Sequence, residues 1–197
     1  MQLEKLGQAF LLSALTLAST AVWADADRSA MLSYTCVGCH GNNGSSTGPA
    51  TPSIAGMNDE GFVEAMNAYA SNERPSTIMG RIARGYTEEE TAAMAKYFAA
   101  QKMVPAVQKA DASKVAAGKE LHDKYCEKCH EDGGTTDPDG TGILAGQWIP
   151  YLEYSLADYV DGTRPMGKKM KKKLNKMVKV KGKESIDTII QYYGSHK

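Results

Sequence analysis

The sequence has few of the large side chains that usually build a hydrophobic core. Its 197 residues include three phenylalanines and two tryptophans, against nineteen glycines. A chain this poor in bulky residues gains stability from an additional apolar body, and small domains commonly recruit a metal or cofactor for that purpose. The composition therefore favours a protein that folds around a bound group.

Several patterns are missing as well. No segment alternates apolar and polar residues over the length of a strand, which argues against a β-rich fold and predicts an all-α protein. No glycine-rich nucleotide loop, Ser/His/Asp set or carboxylate pair is recognisable. We therefore expect no enzymatic substrate site in this chain.

Long apolar runs are confined to the N-terminus. Lys5 precedes "AFLLSALTLASTAVWA", a run of about 16 residues that falls short of the roughly 20 needed to span a bilayer. A transmembrane anchor is therefore the weaker interpretation. We predict a secretory signal peptide over residues 1–24, cleaved before Asp25 with Val22 and Ala24 at the −3 and −1 positions. The mature protein is expected to be exported and to have no membrane span.

Charge is distributed unevenly along the chain. Residues 25–108 hold six basic and nine acidic residues, a net charge of −3, whereas residues 109–197 hold sixteen basic and thirteen acidic residues, a net charge of +3. Nine of those sixteen are lysines within "KKMKKKLNKMVKVKGK", residues 168–183. Uneven charge of this kind indicates docking surfaces rather than a fold.

The chain is an internal repeat with an offset of 90 residues. "YTCVGCHG" at residues 34–41 matches "YCEKCHED" at residues 125–132, and each contains Cys-x-x-Cys-His. Near the C-terminus the offset grows to 95, which indicates about five residues inserted late in the second copy. The matched positions include Tyr69, Arg74, Met94, Tyr97 and Phe98 in the first copy and Tyr159, Arg164, Ile189, Tyr192 and Tyr193 in the second.

The repeat predicts two small helical domains, one over residues 25–104 and one over residues 105–197. A linker within residues 101–113 joins them. A helix leads into Cys-x-x-Cys-His, a loop rich in glycine and proline follows, and two more helices flank an irregular Arg-Pro segment. Thr87 and Glu90 form a capping box, and Pro150 suits a first helical turn. Apolar residues at helical spacing are Phe62, Met66 and Tyr69 in one copy and Leu152, Leu156 and Tyr159 in the other.

Four interpretations of the cysteines compete. A disulfide framework fits an exported chain with an even cysteine count, but it explains neither the two-residue gaps nor the histidine after each pair. A zinc site usually separates its pairs by about 12 to 20 residues, far less than the repeat offset. A thioredoxin-like redox pair needs a βαβ context that is missing here. Covalent attachment of haem explains every feature, so we predict two covalently bound haem c groups.

The proximal iron ligands follow directly from the motif. In Cys-x-x-Cys-His the two cysteines form thioethers and the histidine binds the iron. The other two histidines, His122 and His196, are expected to be solvated surface residues. The residues predicted to attach and ligate the haems on this side are Cys36, Cys39 and His40, then Cys126, Cys129 and His130.

The sixth iron position in electron-transfer cytochromes usually takes Met or a second His. Met79 follows Arg74 by five residues in a segment without a strong helical pattern, so we predict it as a ligand carried by a loop. In the second copy Met170 is the predicted ligand, one residue from the repeat register, and Met166 is the rival. Met177 is expected to be a packing residue.

Two main-chain carbonyls are candidates for orienting the proximal histidines. The carbonyl of Pro52, or of a neighbour, is placed to accept a hydrogen bond from His40 Nδ1, a contact that fixes the ring and raises its basicity. An ordinary turn proline is the alternative. Gly142 is the counterpart in the second copy. With both axial positions filled neither iron binds substrate, and the sequence describes a two-site electron relay.

The mature chain resembles the tandem dihaem class I cytochromes c. It resembles more narrowly the dihaem cytochrome subunits of flavocytochrome c sulfide dehydrogenases. The stretches that carry this likeness are "FVEAMNAYASNERPSTIMGRIARGYTEEE" and "GILAGQWIPYLEYSLADYVDGTRPMGKKMKKKL". The resemblance implies two tandem class I cytochrome c domains and a periplasmic heterodimer.

In that heterodimer a separate FAD-containing flavoprotein subunit would oxidise sulfide and pass electrons through the haems to a soluble acceptor. The lysine run is denser than this family leads us to expect. A free-standing dihaem carrier that delivers electrons to a terminal oxidase or reductase is the alternative. No nucleic-acid partner is expected.

Overall fold

The computed structural model describes residues 28–197, and the predicted signal peptide lies outside them. Within these residues all regular structure is helical and no strand forms, so the predicted all-α fold is confirmed. No helix in this part of the chain is both long and apolar enough to cross a bilayer. The helices are α1 within residues 28–33, α2 Val37–His40, α3 Asp59–Ala70, α4 Met79–Ala83, α5 Glu88–Ala99, α6 Ala112–Tyr125, α7 Ile149–Val160, α8 Lys168–Lys181 and α9 Glu184–Gly194, with 3₁₀ turns at Tyr34–Cys36, Asn42–Gly44 and Asp132–Gly134.

Short side chains define where several helices begin. The predicted capping box of α5 is confirmed, since Thr87 Oγ1 accepts from the Glu90 amide at 3.2 Å and Glu90 accepts from the Thr87 amide at 3.0 Å. Simple side-chain caps begin two other helices: Asn58 Oδ1 accepts from the Gly61 amide at the start of α3, and Asp111 Oδ1 accepts from the Ser113 amide at the start of α6. Pro150 lies in the first turn of α7, where its missing amide hydrogen costs no hydrogen bond.

Two separate hydrophobic clusters form the interior. The first, core 1, is built by α3, α4 and α5, and the second, core 2, by α6, α7, α8 and α9. Core 1 contains Phe62, Met66, Ala83, Met94, Ala95 and Phe98. Core 2 contains Leu121, Tyr125, Leu152, Met177, Ile189, Ile190, Tyr192 and Tyr193. Each copy of the repeat therefore buries its own apolar residues.

Backbone hydrogen bonds repeat at the register expected from the sequence. The Gly44 carbonyl accepts from the amides of residues 54 and 55, and the Gly134 carbonyl accepts from those of residues 144 and 145. Gly56 N donates to Phe98 O at 2.8 Å, and Gly146 N donates to Tyr193 O at 2.8 Å. The first pair differs by 90 residues and the second by 90 and 95, so both predicted offsets are confirmed.

The extra residues of the second copy lengthen one helix. α4 has five residues, whereas α8, in the same place between the Arg-Pro segment and the last helix, has fourteen. This difference places most of the lysine run on a regular helix.

The two copies meet at a surface that we call the junction. Gln147 and Ser53 exchange two hydrogen bonds there, with Ser53 N donating to Gln147 Oε1 at 3.0 Å and Gln147 Nε2 donating to Ser53 O at 2.6 Å. Trp148 Nε1 donates to Ser46 O at 3.1 Å. Further contacts across the junction are Asn58 N to Asp137 Oδ2 at 3.0 Å and Arg74 Nη2 to Tyr151 OH at 3.3 Å.

Close backbone packing at the junction yields a stability prediction. A Cβ on Gly61, in the first turn of α3, would lie 2.9 Å from Gly140 Cα. Gly61→Ala should therefore lower the free energy of unfolding by about 1–3 kcal/mol, the typical cost of overpacking, although alanine gains ~1 kcal/mol as a helix former. Urea unfolding measures the difference. Asn67→Ala, at an exposed position of the same helix, is the control and should be neutral or stabilising. If Gly61→Ala leaves the free energy of unfolding unchanged, the loop at residue 140 moves to accommodate the methyl group without a measurable cost.

Candidate haem sites

The first Cys-x-x-Cys-His lies on consecutive helical turns at the end of α1. His40 ends α2 and is 8% exposed, and its Nδ1 donates to the Pro52 carbonyl at 2.8 Å. The expected contact is therefore confirmed. Burial lowers the pKa of His40, although the Pro52 carbonyl opposes that change. The ring is thus neutral near pH 7, oriented by its Nδ1 and available as a ligand at its other nitrogen.

The second motif follows α6 in a turn and differs at its histidine. His130 Nδ1 is buried and has no hydrogen-bond partner within the described part of the chain. The Gly142 carbonyl is near enough to favour the charged ring, but it does not meet hydrogen-bonding geometry. Burial is the larger influence and lowers the pKa of His130. A buried ring nitrogen without a partner is uncommon in native proteins.

All four cysteines are free thiols, which argues against the disulfide framework. In each motif one cysteine is partly buried against the local core and the other is exposed, so the thiol pairs lie at the edges of core 1 and core 2. Burial raises the pKa of the Cys126 thiol to about 11, and it also raises that of Cys36.

Met79 does not lie in a loop, which corrects one expectation. It is the first residue of α4, a short helix that the weak periodicity of the segment did not reveal. Its side chain is partly buried and packs against core 1, as does Cys36. The structure therefore brings the predicted sixth ligand and the attachment motif to the same core.

The second copy offers two methionines at comparable positions. Met166 precedes α8 and Met170 lies in its first turn, and both are partly buried. Neither packs among the residues that surround core 2. Met177 is 1% exposed within core 2, so its predicted packing role is confirmed.

The expectation that His122 is a solvated surface residue is wrong. Its side chain is fully buried on α6, with Nδ1 2.9 Å from Tyr193 OH and Nε2 bonded to the Glu127 carboxylate. His196 is also partly buried, with its ring 4.8 Å from that of Tyr192. The signal missed for His122 was its place beside Leu121 on the apolar face of α6.

Two arginines from different copies share an environment at the junction. Arg74 lies 4.6 Å from the Tyr69 ring centroid, and Arg164 lies 4.2 Å from that of Tyr159. Burial lowers the pKa of Arg164, and the nearby charge of Arg74 lowers it further. Neither forms an ion pair within residues 28–197. Two neighbouring cations without carboxylates favour an anion beside them.

These features together fit covalent haem. Each copy supplies a pair of free thiols and an imidazole with a buried Nδ1 or a buried ring. The first copy adds Met79 at the edge of core 1, and the second offers the partly buried Met166 and Met170. The arginines without ion-pair partners suit the carboxylates that a haem carries. The two copies therefore define a dihaem c-type cytochrome, a class whose chemistry is electron transfer.

Comparisons with known proteins agree with this class. The cytochrome c family model matches residues 26–102. The chain is 32% identical over 138 residues to cytochrome c4 of Pseudomonas aeruginosa, across 66% of this chain and 68% of that protein. It is 44% identical over 71 residues to the cytochrome subunit of sulfide dehydrogenase from Chlorobaculum tepidum, across 36% of this chain and 64% of that protein. The chain belongs to the cytochrome c family and is a dihaem, cytochrome c4-like electron carrier with two covalently bound haem c groups.

A solved structure has the same fold. Reduced recombinant cytochrome c4 from Pseudomonas stutzeri superposes with a TM-score of 0.70 at 20% identity, over 83% of this chain and 94% of that one. The predicted architecture of two tandem class I cytochrome c domains is therefore confirmed. The individual ligands and the domain boundaries remain predictions from the motifs.

The attachment sites can be tested one at a time. In Cys126→Ala/Cys129→Ala we expect one covalent haem per chain instead of two, because only Cys36 and Cys39 remain to form thioethers. The haem-to-protein ratio from pyridine haemochrome absorbance measures this. The matched variant Cys36→Ala/Cys39→Ala should retain the other haem. Two haems in either variant would refute the assignment.

The sixth ligands call for a different measurement. Met79→His and Met170→His, made separately, should each keep its haem attached and lower one midpoint potential, because methionine ligation raises the potential relative to histidine. Spectroelectrochemical titration resolves the two values. If Met166→His shifts a potential and Met170→His shifts neither, Met166 is the second ligand.

Proposed function

We propose that this chain is the periplasmic electron-transfer subunit of a sulfide-oxidising flavoenzyme, and that it passes electrons from the partner's FAD to a soluble acceptor. The observation that supports the relay is the junction, where two buried hydrogen bonds and one partly buried hydrogen bond join the two copies that carry the motifs. A fixed relation between two redox sites suits transfer within one chain.

The chain's own residues favour electron transfer over substrate chemistry. A bound haem c accepts and returns one electron at its iron. His40 with Met79, and His130 with Met170, would bind the two irons, and irons held by two protein side chains each would exchange electrons rather than bind a substrate. The polar groups of the junction keep the two copies aligned, so that the sites need little rearrangement between turnovers.

The identity of the donor rests on sequence similarity. The match to a sulfide dehydrogenase cytochrome subunit, at 44% identity over 36% of this chain, supports a partner subunit that oxidises sulfide. The longer match to cytochrome c4 supports the second candidate, a free-standing dihaem carrier that serves a terminal oxidase or reductase. The two candidates differ in whether a permanent partner accompanies the chain.

One purification distinguishes these candidates. The protein is isolated gently from its native host, and its visible spectrum and polypeptide content are recorded. The proposal predicts flavin absorption, a second, larger polypeptide and reduction of the haems by sulfide. A pure dihaem protein without flavin would refute the flavoenzyme assignment and favour the free-standing carrier.

The acceptor is expected to dock on the lysines of α8 and the following turn, which we call the lysine surface. All nine are exposed, and none forms an ion pair within residues 28–197. The opposite face of α8 packs Leu174 and Met177 onto core 2, which Cys126 also borders. The lysine surface thus lies beside the second haem motif, and its charge suits an acidic acceptor. Its residues are Lys168, Lys169, Lys171, Lys172, Lys173, Lys176, Lys179, Lys181 and Lys183.

The charge of this surface predicts how oxidation rates respond to salt. Oxidation of the reduced protein by ferricyanide, an anion, should slow as ionic strength rises, because salt screens the attraction. Lys172→Gln/Lys176→Gln/Lys179→Gln should reduce the rate at least threefold at low ionic strength. The control Lys96→Gln/Lys102→Gln/Lys109→Gln removes the same charge from exposed positions outside α8 and should have a smaller effect. Equal effects in both triple variants would refute docking at α8.

A further inference from the structure

The proximal histidines of the two copies differ in their hydrogen bonding. His40 Nδ1 donates to the Pro52 carbonyl at 2.8 Å, whereas His130 Nδ1 is buried without a partner. The residue after Pro52 is Ser53, and that after the counterpart Gly142 is Ile143. The cause of the difference therefore lies in the short segments that carry these carbonyls.

Three hydrogen bonds to Ser53 fix the segment at Pro52. Both main-chain groups of Ser53 bond the Gln147 side chain, at 3.0 and 2.6 Å, and Ser53 Oγ accepts from the Ser46 amide at 3.0 Å. Ser53 is 5% exposed and Gln147 is 4% exposed. Hydrogen bonds in such a dry environment are costly to break, so the peptide next to the Pro52 carbonyl has little freedom.

Gln147 belongs to the second copy, and the repeat supplies no equivalent for it. The position 90 residues earlier is Met57, whose side chain packs against core 1 and has no amide to donate or accept. The loop at Gly142 is held instead by Asp137 Oδ1, which accepts from the Gly142 amide at 2.8 Å. The first copy also bonds the loop before Gly142, since Asn58 N donates to Asp137 Oδ2 at 3.0 Å and Asn58 Nδ2 donates to Pro138 O at 3.4 Å. Within the described residues, however, a side chain from the other copy bonds the peptide next to the histidine-facing carbonyl in the first site alone.

We propose that Gln147 is a positioning residue for the first haem: by clamping Ser53 across the junction it holds the Pro52 carbonyl against His40 Nδ1, and so makes the two haem sites unequal. This inference rests on the haem sites proposed above. A hydrogen bond from Nδ1 raises the basicity of an iron-bound imidazole, which favours the oxidised iron. The clamp therefore holds the first potential below the value it would have with a free histidine.

The wild-type protein provides the first test. In NMR spectra of the reduced, diamagnetic protein, the Nδ1 proton of His40 should exchange with solvent at least tenfold more slowly than that of His130. Equal or reversed rates would overturn the proposal, since the inequality between the sites is its starting point.

Gln147→Met provides the second test, because it places in the second copy the residue that the first copy has at the matched position. The His40 Nδ1 proton should exchange at least tenfold faster, and the potential of the first haem, identified by its response to Met79→His, should rise. His130 exchange should not change. If Gln147→Met does not fold, Gln147→Asn, which is too short to keep both bonds, carries the same expectation.

Tyr151→Phe is the matched control. It removes the hydroxyl that accepts from Arg74 Nη2 across the same junction, but it leaves Ser53 untouched. Neither His40 exchange nor the first potential should change. If Tyr151→Phe and Gln147→Met act alike, general loosening of the junction explains the effect and the proposal fails. Haem content per chain is recorded for every variant, and absence of a flavoprotein partner would refute the proposed function without altering these measurements.

Discussion

The fold depends on a repeated turn in which one glycine carbonyl accepts two amides. Gly44 and Gly134 have positive φ, and each carbonyl holds the start of the segment that leads into the next helix. A Cβ on Gly44 would lie 2.8 Å from Phe98, so the loop can close on its core only where the side chain is absent. This closure returns the chain to the proximal histidine and determines which carbonyl faces it. The geometry of the haem sites therefore depends on this turn as much as on the Cys-x-x-Cys-His motif.

The two copies keep this closure but have diverged where they contact each other. The first copy presents main-chain groups of Ser46 and Ser53, and the second presents side chains of Gln147 and Trp148. A symmetric pair of sites would have equal potentials and no preferred direction of transfer. Main-chain groups on one side of the junction and side chains on the other would make the environments of the two histidines different without altering either motif. Unequal sites are what a relay with an entry and an exit requires.

Much of this arrangement could be predicted from the sequence because the main sequence patterns occur in both copies of the repeat. The two motifs, the offsets, the capping box at Thr87 and the packing of Met177 all follow from local patterns, and the structure agrees with them. His122 was mispredicted because its burial depends on Tyr193 and Glu127, which lie on other turns of the chain. The helix at Met79 is short, and five residues give too little periodicity to detect. The role of Gln147 was not visible either, since only the folded junction brings residues 53 and 147 together.

The lysine surface destabilises α8 in the free protein, and this effect bears on its role. Lysines in the first turn of α8 oppose the helix dipole, and pairs such as Lys168 with Lys172 repel at i,i+4 spacing by a few tenths of a kcal/mol each. No acidic residue in the first turn and no side-chain cap offsets this. The helix is stabilised instead by Leu174 and Met177 on core 2. A partner with carboxylates would relieve the repulsion on binding, so the feature that destabilises α8 in the free protein would favour the complex. The described helices of the first copy, whose net charge is negative, carry no comparable run of lysines, and this contrast favours the second copy as the place where the proposed acidic acceptor would dock.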